Sequence, residues 1–211
     1  NAPERLMKNH CGERVGAARE IISEAGKSTR FMAPPSRGFR LLRDAVLSLS
    51  LTEEFVRPLY HWRTSRPHEY KHSALNSLSD DNPQFTGGPA LGAPPQNVQL
   101  QTDDFLLDHL GGGFDLVYVA PNQSIPKNLL QAIDQARNNG CPLKLLAITQ
   151  ENVAVTGADK TLFDPQQRFQ VLYAVSAGGA YLFRPDQHVC ARWLQLDASR
   201  LLSSLQLAFM Q

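Results

Sequence analysis

The run Ala180–Leu194, AYLFRPDQHVCARWL, constrains the fold more than any other part of this 211-residue chain. Two runs of aromatic, aliphatic and β-branched residues flank Arg184-Pro185-Asp186-Gln187. Proline presets φ for the second position of a tight turn and aspartate tolerates the third, so the pattern predicts a β-hairpin. In the second arm Val189, Ala191 and Trp193 alternate with His188, Cys190 and Arg192, which predicts one apolar face and one mixed face. Such a hairpin anchors a sheet.

The residues around it supply the rest of that sheet. Phe114–Ala120 is a continuous apolar run, Pro126 opens a helix through Leu129, Leu130 and Ile133 that Gly140 closes, and Leu143–Thr149 is a second apolar run. Pro165 is expected to open a further helix through Phe169, Leu172 and Tyr173. Asp197 should cap the last one, with its stripe at Leu201, Leu205 and Phe209. Upstream, Thr102 or Asp103 is expected to cap a short helix ended by Gly111-Gly112-Gly113. Near-continuous apolar strands separated by helices imply a sheet covered on at least one face. The order βαβ, helix, hairpin, helix is that of a thioredoxin-like fold, so residues 96–211 are expected to form a βαβαββα domain of the α/β class. Its redox dithiol is missing: Pro121-Asn122-Gln123-Ser124-Ile125-Pro126 contains no cysteine, and SAGGA stands where such folds carry a proline before the hairpin.

Residues 1–72 read as a helical segment. Met7, Cys11, Val15, Ala18 and Ile22 fall at spacings of three and four, with Gly26 placed to end the helix. Gly12 and Gly16 within it each cost up to about 1 kcal/mol unless a neighbour packs closely, which suggests a contact surface. Ser28–Pro35 should cross over without helix, and Ser36 should cap a second helix with Phe39, Leu42, Val46 and Leu49 on one face. Thr52, Glu53 and Glu54 open a third, short helix ending near Pro58. Residues 73–95 are rich in Ser, Asn, Asp, Gly and Pro and are expected to be a linker or a long surface wrap.

Twenty-one basic residues against 20 acidic ones leave no field for nucleic acid or an anionic membrane. No apolar run reaches the ~20 residues of a membrane span, and no signal-like segment opens the chain, so a cytoplasmic protein is expected. Three scattered cysteines, Cys11, Cys141 and Cys190, argue against a disulfide framework. Gly26-Lys27-Ser28 resembles the end of a phosphate loop, but Ile21 occupies the position of the first glycine. His61, His68 and His72 are read as loop histidines and not as a metal site; Cys190 with His188 is read as core cysteine and not as a nucleophile pair. Arg184, Asp186 and Arg192 suggest either an ion pair fixing the turn or a contact with another domain or subunit.

The hairpin run LFRPDQHVCARW resembles the C-terminal end of FAD-dependent aromatic-ring hydroxylases, flavoprotein monooxygenases related to phenol hydroxylase and 3-(3-hydroxyphenyl)propionate hydroxylase. PERLMKNHCGERVGAA resembles the helix after that family's second flavin motif, with Glu4-Arg5 matching, and STRFMAPPSRGFRLLRDAVL and FVRPLYHWRTSRPHEY resemble the helical connection beyond it. The resemblance implies a C-terminal portion lying downstream of a missing N-terminal flavin domain. The parent enzyme would use FAD and NAD(P)H to insert one oxygen atom into an aromatic ring. The Gly-rich, Asp-Gly and Gly-Asp flavin motifs have no matching positions here, so no catalytic, cofactor-binding or metal residue is expected in this chain. The expected role is a structural and dimerisation module of a homo-oligomer, inactive by itself. Contact residues are expected at Met7, Val15, Ile22, Trp62, Arg184 and Trp193. A freestanding thioredoxin-like scaffold protein without redox function is the alternative.

Overall fold

The computed structural model describes residues 4–60, 67–77 and 82–209. The chain forms two compact units, Asn1–Asn9 with Glu69–Gln211, and His10–His68. The division falls between His68 and Glu69, and the described part of 73–95 belongs to the sheet-bearing unit.

The helical unit is built on α1 (Glu4–Met32), whose Glu4–Asn9 belong to the other unit, with α2 (Arg37–Leu49) and α3 (Arg57–Tyr60). Gly26 does not end α1 as its sequence suggests. The Thr29 hydroxyl donates to the Ala25 carbonyl at 2.9 Å, Arg30 Nε donates to the Gly26 carbonyl at 3.2 Å, and Lys27 pairs with Glu24. These local bonds carry the helix across the glycine until Pro34 bars the α conformation at the residue before it. Among the described residues, nothing beyond the helix's own backbone and the adjacent residues would lie within 4 Å of a Cβ on Gly12 or Gly16, so no described element of this chain packs closely there. Ser36 caps α2 as predicted, accepting from the Phe39 amide at 3.4 Å. Pro58 sits inside α3 instead of ending a helix: a 3-10 turn, Glu54–Val56, comes first, and proline is tolerated in a first helical turn, where its missing donor is not needed.

The second unit is a mixed α/β structure. Its main sheet has the order β5-β4-β3-β6-β7, formed by β3 (Phe114–Val119), β4 (Leu143–Thr149), β5 (Lys160–Phe163), β6 (Ala180–Phe183) and β7 (Val189–Trp193). Strands β3, β4 and β5 run parallel, whereas β6 is antiparallel to β3 and β7 to β6. Parallel neighbours need a long crossover, and α4 (Lys127–Asn138) provides the one between β3 and β4.

Alternation along the strands feeds two cores. Leu116, Tyr118, Leu145 and Leu182 face α4 and α6 (Ala198–Phe209), where Ile133, Leu201 and Leu205 close the first core. Val117, Ile148, Tyr181 and Phe183 face the second core with Phe169 and Tyr173 of α5 (Arg168–Tyr173). Each such side chain stabilises the fold by about 1.5–3 kcal/mol when fully buried. Among the described residues, no helix is long and apolar enough to cross a membrane.

Three local expectations differ from what forms. In place of a helix capped by Thr102 or Asp103, a small antiparallel pair, β1 (Gln99–Gln101) and β2 (Asp104–Phe105), turns at Asp103, whose φ is +57°. A 3-10 turn, Leu106–His109, follows it. Aspartate tolerates the left-handed region because its short polar side chain bonds locally, so the same residue type serves a cap or a turn. Pro165 does not open α5: the Asp164 carboxylate does so, accepting from the amides of Arg168 at 3.0 Å and Phe169 at 2.8 Å. Along β7 the predicted alternation fails because Leu182 pairs with Ala191 and Phe183 with Val189, leaving Cys190 as the extra residue of a bulge. Val189 therefore enters the second core, while Cys190, Ala191 and Trp193 enter the first.

Candidate functional site

The hairpin turn forms where the sequence places it. The Gln187 amide donates to the Arg184 carbonyl at 2.8 Å, and Gln187 takes φ +62° to bring the chain back. Arg184 grips Asp186 through two bonds, Nε to Oδ1 at 3.0 Å and Nη2 to Oδ2 at 2.7 Å, and reaches the Ser73 hydroxyl at 3.3 Å. Its guanidinium lies over the Tyr70 ring at 5.7 Å, and the His188 ring packs on the same tyrosine at 4.7 Å. This ion pair ties the turn to the segment before the sheet. Arg192 does the same further along, bonding Asn82 Oδ1 at 2.8 Å and the Pro89 carbonyl at 3.1 Å, with its guanidinium 4.2 Å from the centre of the Phe85 ring.

Burial alone would raise the pKa of Asp186, but hydrogen bonds from His188 and Arg184 outweigh it and hold the carboxyl well below the usual range. A depressed folded pKa gives stability that is present above the unfolded value of about 3.9 and is lost as pH falls toward the folded one. Wild type should therefore lose more thermal stability between pH 6 and pH 3 than Asp186→Asn. Parallel melting curves at the two pH values check this, and equal losses would assign the acid sensitivity elsewhere.

The six expected contact residues divide. Met7, Val15 and Ile22 are exposed on α1, Ile22 most of all at 71%. Arg184 and Trp193 are buried within their own unit, at 3% and 1%, and Trp62 lies outside the described residues. Sequence reading passed over the stronger apolar surface on and after α2. Leu41, Leu42, Leu51, Phe55 and Leu59 are exposed there, whereas Val46 and Val56 are buried. A groove of about 360 Å³ runs between Phe31, Phe39, Leu42 and Leu59, with Lys27 and Arg30 on its rim. The signal was present as leucines falling on more than one face of α2, which a single-stripe reading hides.

A second concavity of about 490 Å³ lies at the carboxyl ends of β3 and β4, the usual place for ligands in open α/β sheets. Its lining includes Asn122, Gln123, Thr149, Glu151 and Gln170, and Gln123 Nε2 donates to Glu151 at 3.0 Å. These groups can hydrogen-bond but offer no cysteine. The thiols of Cys190 and Cys141 are buried, which pushes their pKa values up to about 12 and about 11 and keeps both uncharged near neutrality. Cys190 Sγ donates to the Leu182 carbonyl at 3.4 Å, while His188 Nδ1 meets the Asp186 carbonyl at 3.0 Å, so the two do not form a nucleophile–base pair. Among the described residues no group of three or more potential ligands could hold a metal ion. His68 pairs with Glu20 at 2.9 Å, and His61 lies outside the described residues.

A flavin pyrophosphate needs a glycine-rich turn after a strand and before a helix. The turn from β3 to α4 has no glycine, and Gly111–Gly113 lead into β3, with Gly113 set so tightly that a Cβ would run into the Pro142 carbonyl. These residues do not fit the flavin.

No family model matches the chain, and no curated protein matches it by sequence. Solved structures do match in fold. The rebeccamycin biosynthetic enzyme RebC, determined with reduced flavin, superposes with a TM-score of 0.64 at 18% identity, covering 99% of this chain and 37% of RebC. The flavin-dependent monooxygenase PieE, in complex with FAD and substrate, gives 0.64 at 19% identity over 98% of this chain and 40% of its own. Aklavinone-11 hydroxylase, with FAD and aklavinone, gives 0.51 at 18% identity over 80% and 34%. The chain thus spans well under half the length of the flavoenzymes whose fold it shares, and it matches the C-terminal part of such monooxygenases.

Proposed function

We propose that this chain is the C-terminal structural and subunit-contact module of an FAD- and NAD(P)H-dependent aromatic monooxygenase. The observation that carries the reading is the match of 99% of the chain to 37% of a flavoenzyme, by a segment whose Gly111–Gly113 turn and β3–α4 turn do not fit a flavin pyrophosphate. The flavin carries the oxygenation chemistry in such enzymes when bound, and protein groups position it and exclude water. In this reading the flavin-binding part lies outside the 211 residues and covers exposed apolar residues of α1 and α2 such as Ile22, Met32 and Leu41. The strand order β4-β3-β6-β7, with α4 as the first crossover and α6 last, supports a thioredoxin-like ancestry for the sheet unit. Without a dithiol beside β3, that unit serves assembly and not redox exchange, in a cytoplasmic homo-oligomer.

The test is the visible absorption of the purified chain after incubation with FAD and removal of unbound ligand. No retained flavin is expected. Retention of one FAD per chain would overturn the reading, because the chain would then hold its own flavin site.

A further inference from the structure

A carboxylate, an imidazole and an amine stand in line at the edge of the main sheet. Asp104, on β2, lies with Oδ1 2.6 Å from His109 Nε2. On the other side of the ring, His109 Nδ1 is 3.0 Å from Nζ of Lys160, the first residue of edge strand β5. The carboxylate can only accept, so Nε2 carries the proton and Nδ1 turns its lone pair toward the amine. The His109 side chain is only 8% exposed, which holds the ring in place, whereas Lys160 is open to solvent. The other nearby cation, Lys144, is engaged by the carbonyl of His109 at 2.6 Å and by the buried carboxylate of Asp115 at 2.9 Å. Nucleophile, base and orienting group are thus within hydrogen-bond reach in the order that activates a nucleophile. Nothing in the fold requires this arrangement: the 3-10 turn carrying His109 is already tied down through Lys144, and β5 is already paired with β4.

We propose that Lys160 is an acyl-acceptor amine, a modification site at which the Asp104–His109 pair acts as general base toward activated acyl groups such as acyl phosphates. With Lys160 as the neutral amine, its ammonium proton having passed to solvent, His109 Nδ1 takes a second proton from Nζ as Nζ attacks, and Asp104 stabilises the resulting imidazolium. The freed Nζ lone pair forms a bond to the acyl carbon, the bond from that carbon to the phosphate oxygen breaks, and phosphate departs with the electron pair. The third hydrogen stays on Nζ, leaving a neutral amide. Acylation removes the Lys160 charge and its contact with His109, so it would loosen the turn from β5.

The probe is acetyl phosphate, with acetylation of each lysine followed over time by peptide mass spectrometry on the intact chain. General-base assistance is worth about 10²–10⁴-fold in rate, so Lys160 should lead the exposed Lys8, Lys71 and Lys127 by at least about tenfold. In His109→Gln that lead should vanish while Lys127 keeps its rate, and Asp104→Glu should retain more of it than Asp104→Asn. Circular dichroism on each variant separates loss of the base from loss of fold. A Lys160 rate no greater than that of Lys127 in the wild-type chain overturns the proposal without reference to any variant, as does a lead that survives His109→Gln in a folded protein.

Discussion

Trp193→Ala is expected to destabilise the sheet-bearing unit by about 3–5 kcal/mol, the range for removing a large aromatic side chain from a packed core. Trp193 is 1% exposed at the end of β7, its backbone paired with Ala180 of β6. It belongs to the core that β3, β4, α4 and α6 share, so no single element can move in to fill the space it would leave. Closing such a cavity would mean shifting a strand paired on one side and a helix packed on another. Equilibrium urea denaturation followed by far-ultraviolet circular dichroism measures the effect, as a fall in midpoint at unchanged slope. A loss below about 1 kcal/mol would mean that the tryptophan is not packed as described.

Gly92→Ala should cost about 2–5 kcal/mol, for two reasons that add. Gly92 has φ +75°, in the left-handed region that costs an L-residue about 1–2 kcal/mol. A Cβ there would also run into the Tyr70 carbonyl, a backbone atom held by its neighbours, and overpacking of that kind typically adds about 1–3 kcal/mol. The damage should be local at first. Gly92 donates to the Val189 carbonyl at 2.7 Å and accepts from the Tyr70 amide at 2.8 Å, so the substitution pries the 70–93 segment from β7. Hydrogen exchange should show this as faster exchange of the Val189 amide, which donates to Ala93 at 2.9 Å, with amides of β3 and β4 protected as before. Equal acceleration in all three strands would argue for global destabilisation instead.

These two positions also mark what the sequence did and did not disclose. The hairpin, the apolar strands β3 and β4, the Ser36 cap and the Asp197 bonds at the start of α6 were legible because each depends on near neighbours: a turn pair, a run or a cap. Strand β5, four residues with a single fully buried member, was missed because so short a run carries no period. The bulge at Cys190 was invisible because it belongs to the pairing of two strands and not to either one. Residues 73–95 looked too polar to order. They order in part because their backbone, and not their side chains, makes the bonds: Ser77 donates to the Cys190 carbonyl at 2.7 Å, and Gly92 and Ala93 pair with Val189. For the surfaces, residue type showed apolar character in α1 and α2 but not which face was covered. Nothing local distinguished Trp193 as core from Trp193 as contact.

The pairing of 77 and 92–93 with β7 has a bearing on how copies of this unit can associate. A free strand edge is a template for another strand, and sheets that leave one open invite growth across subunits. Here the chain's own irregular segment occupies part of that template, and arginines 184 and 192 fasten it at both ends of the strand. The opposite margin, β5, is only four residues long and begins with a lysine, a length and a charge that both discourage strand addition. An assembly that uses this unit is therefore steered toward side-chain packing on helices and loops, so its geometry can change through surface substitutions while the sheet stays the same.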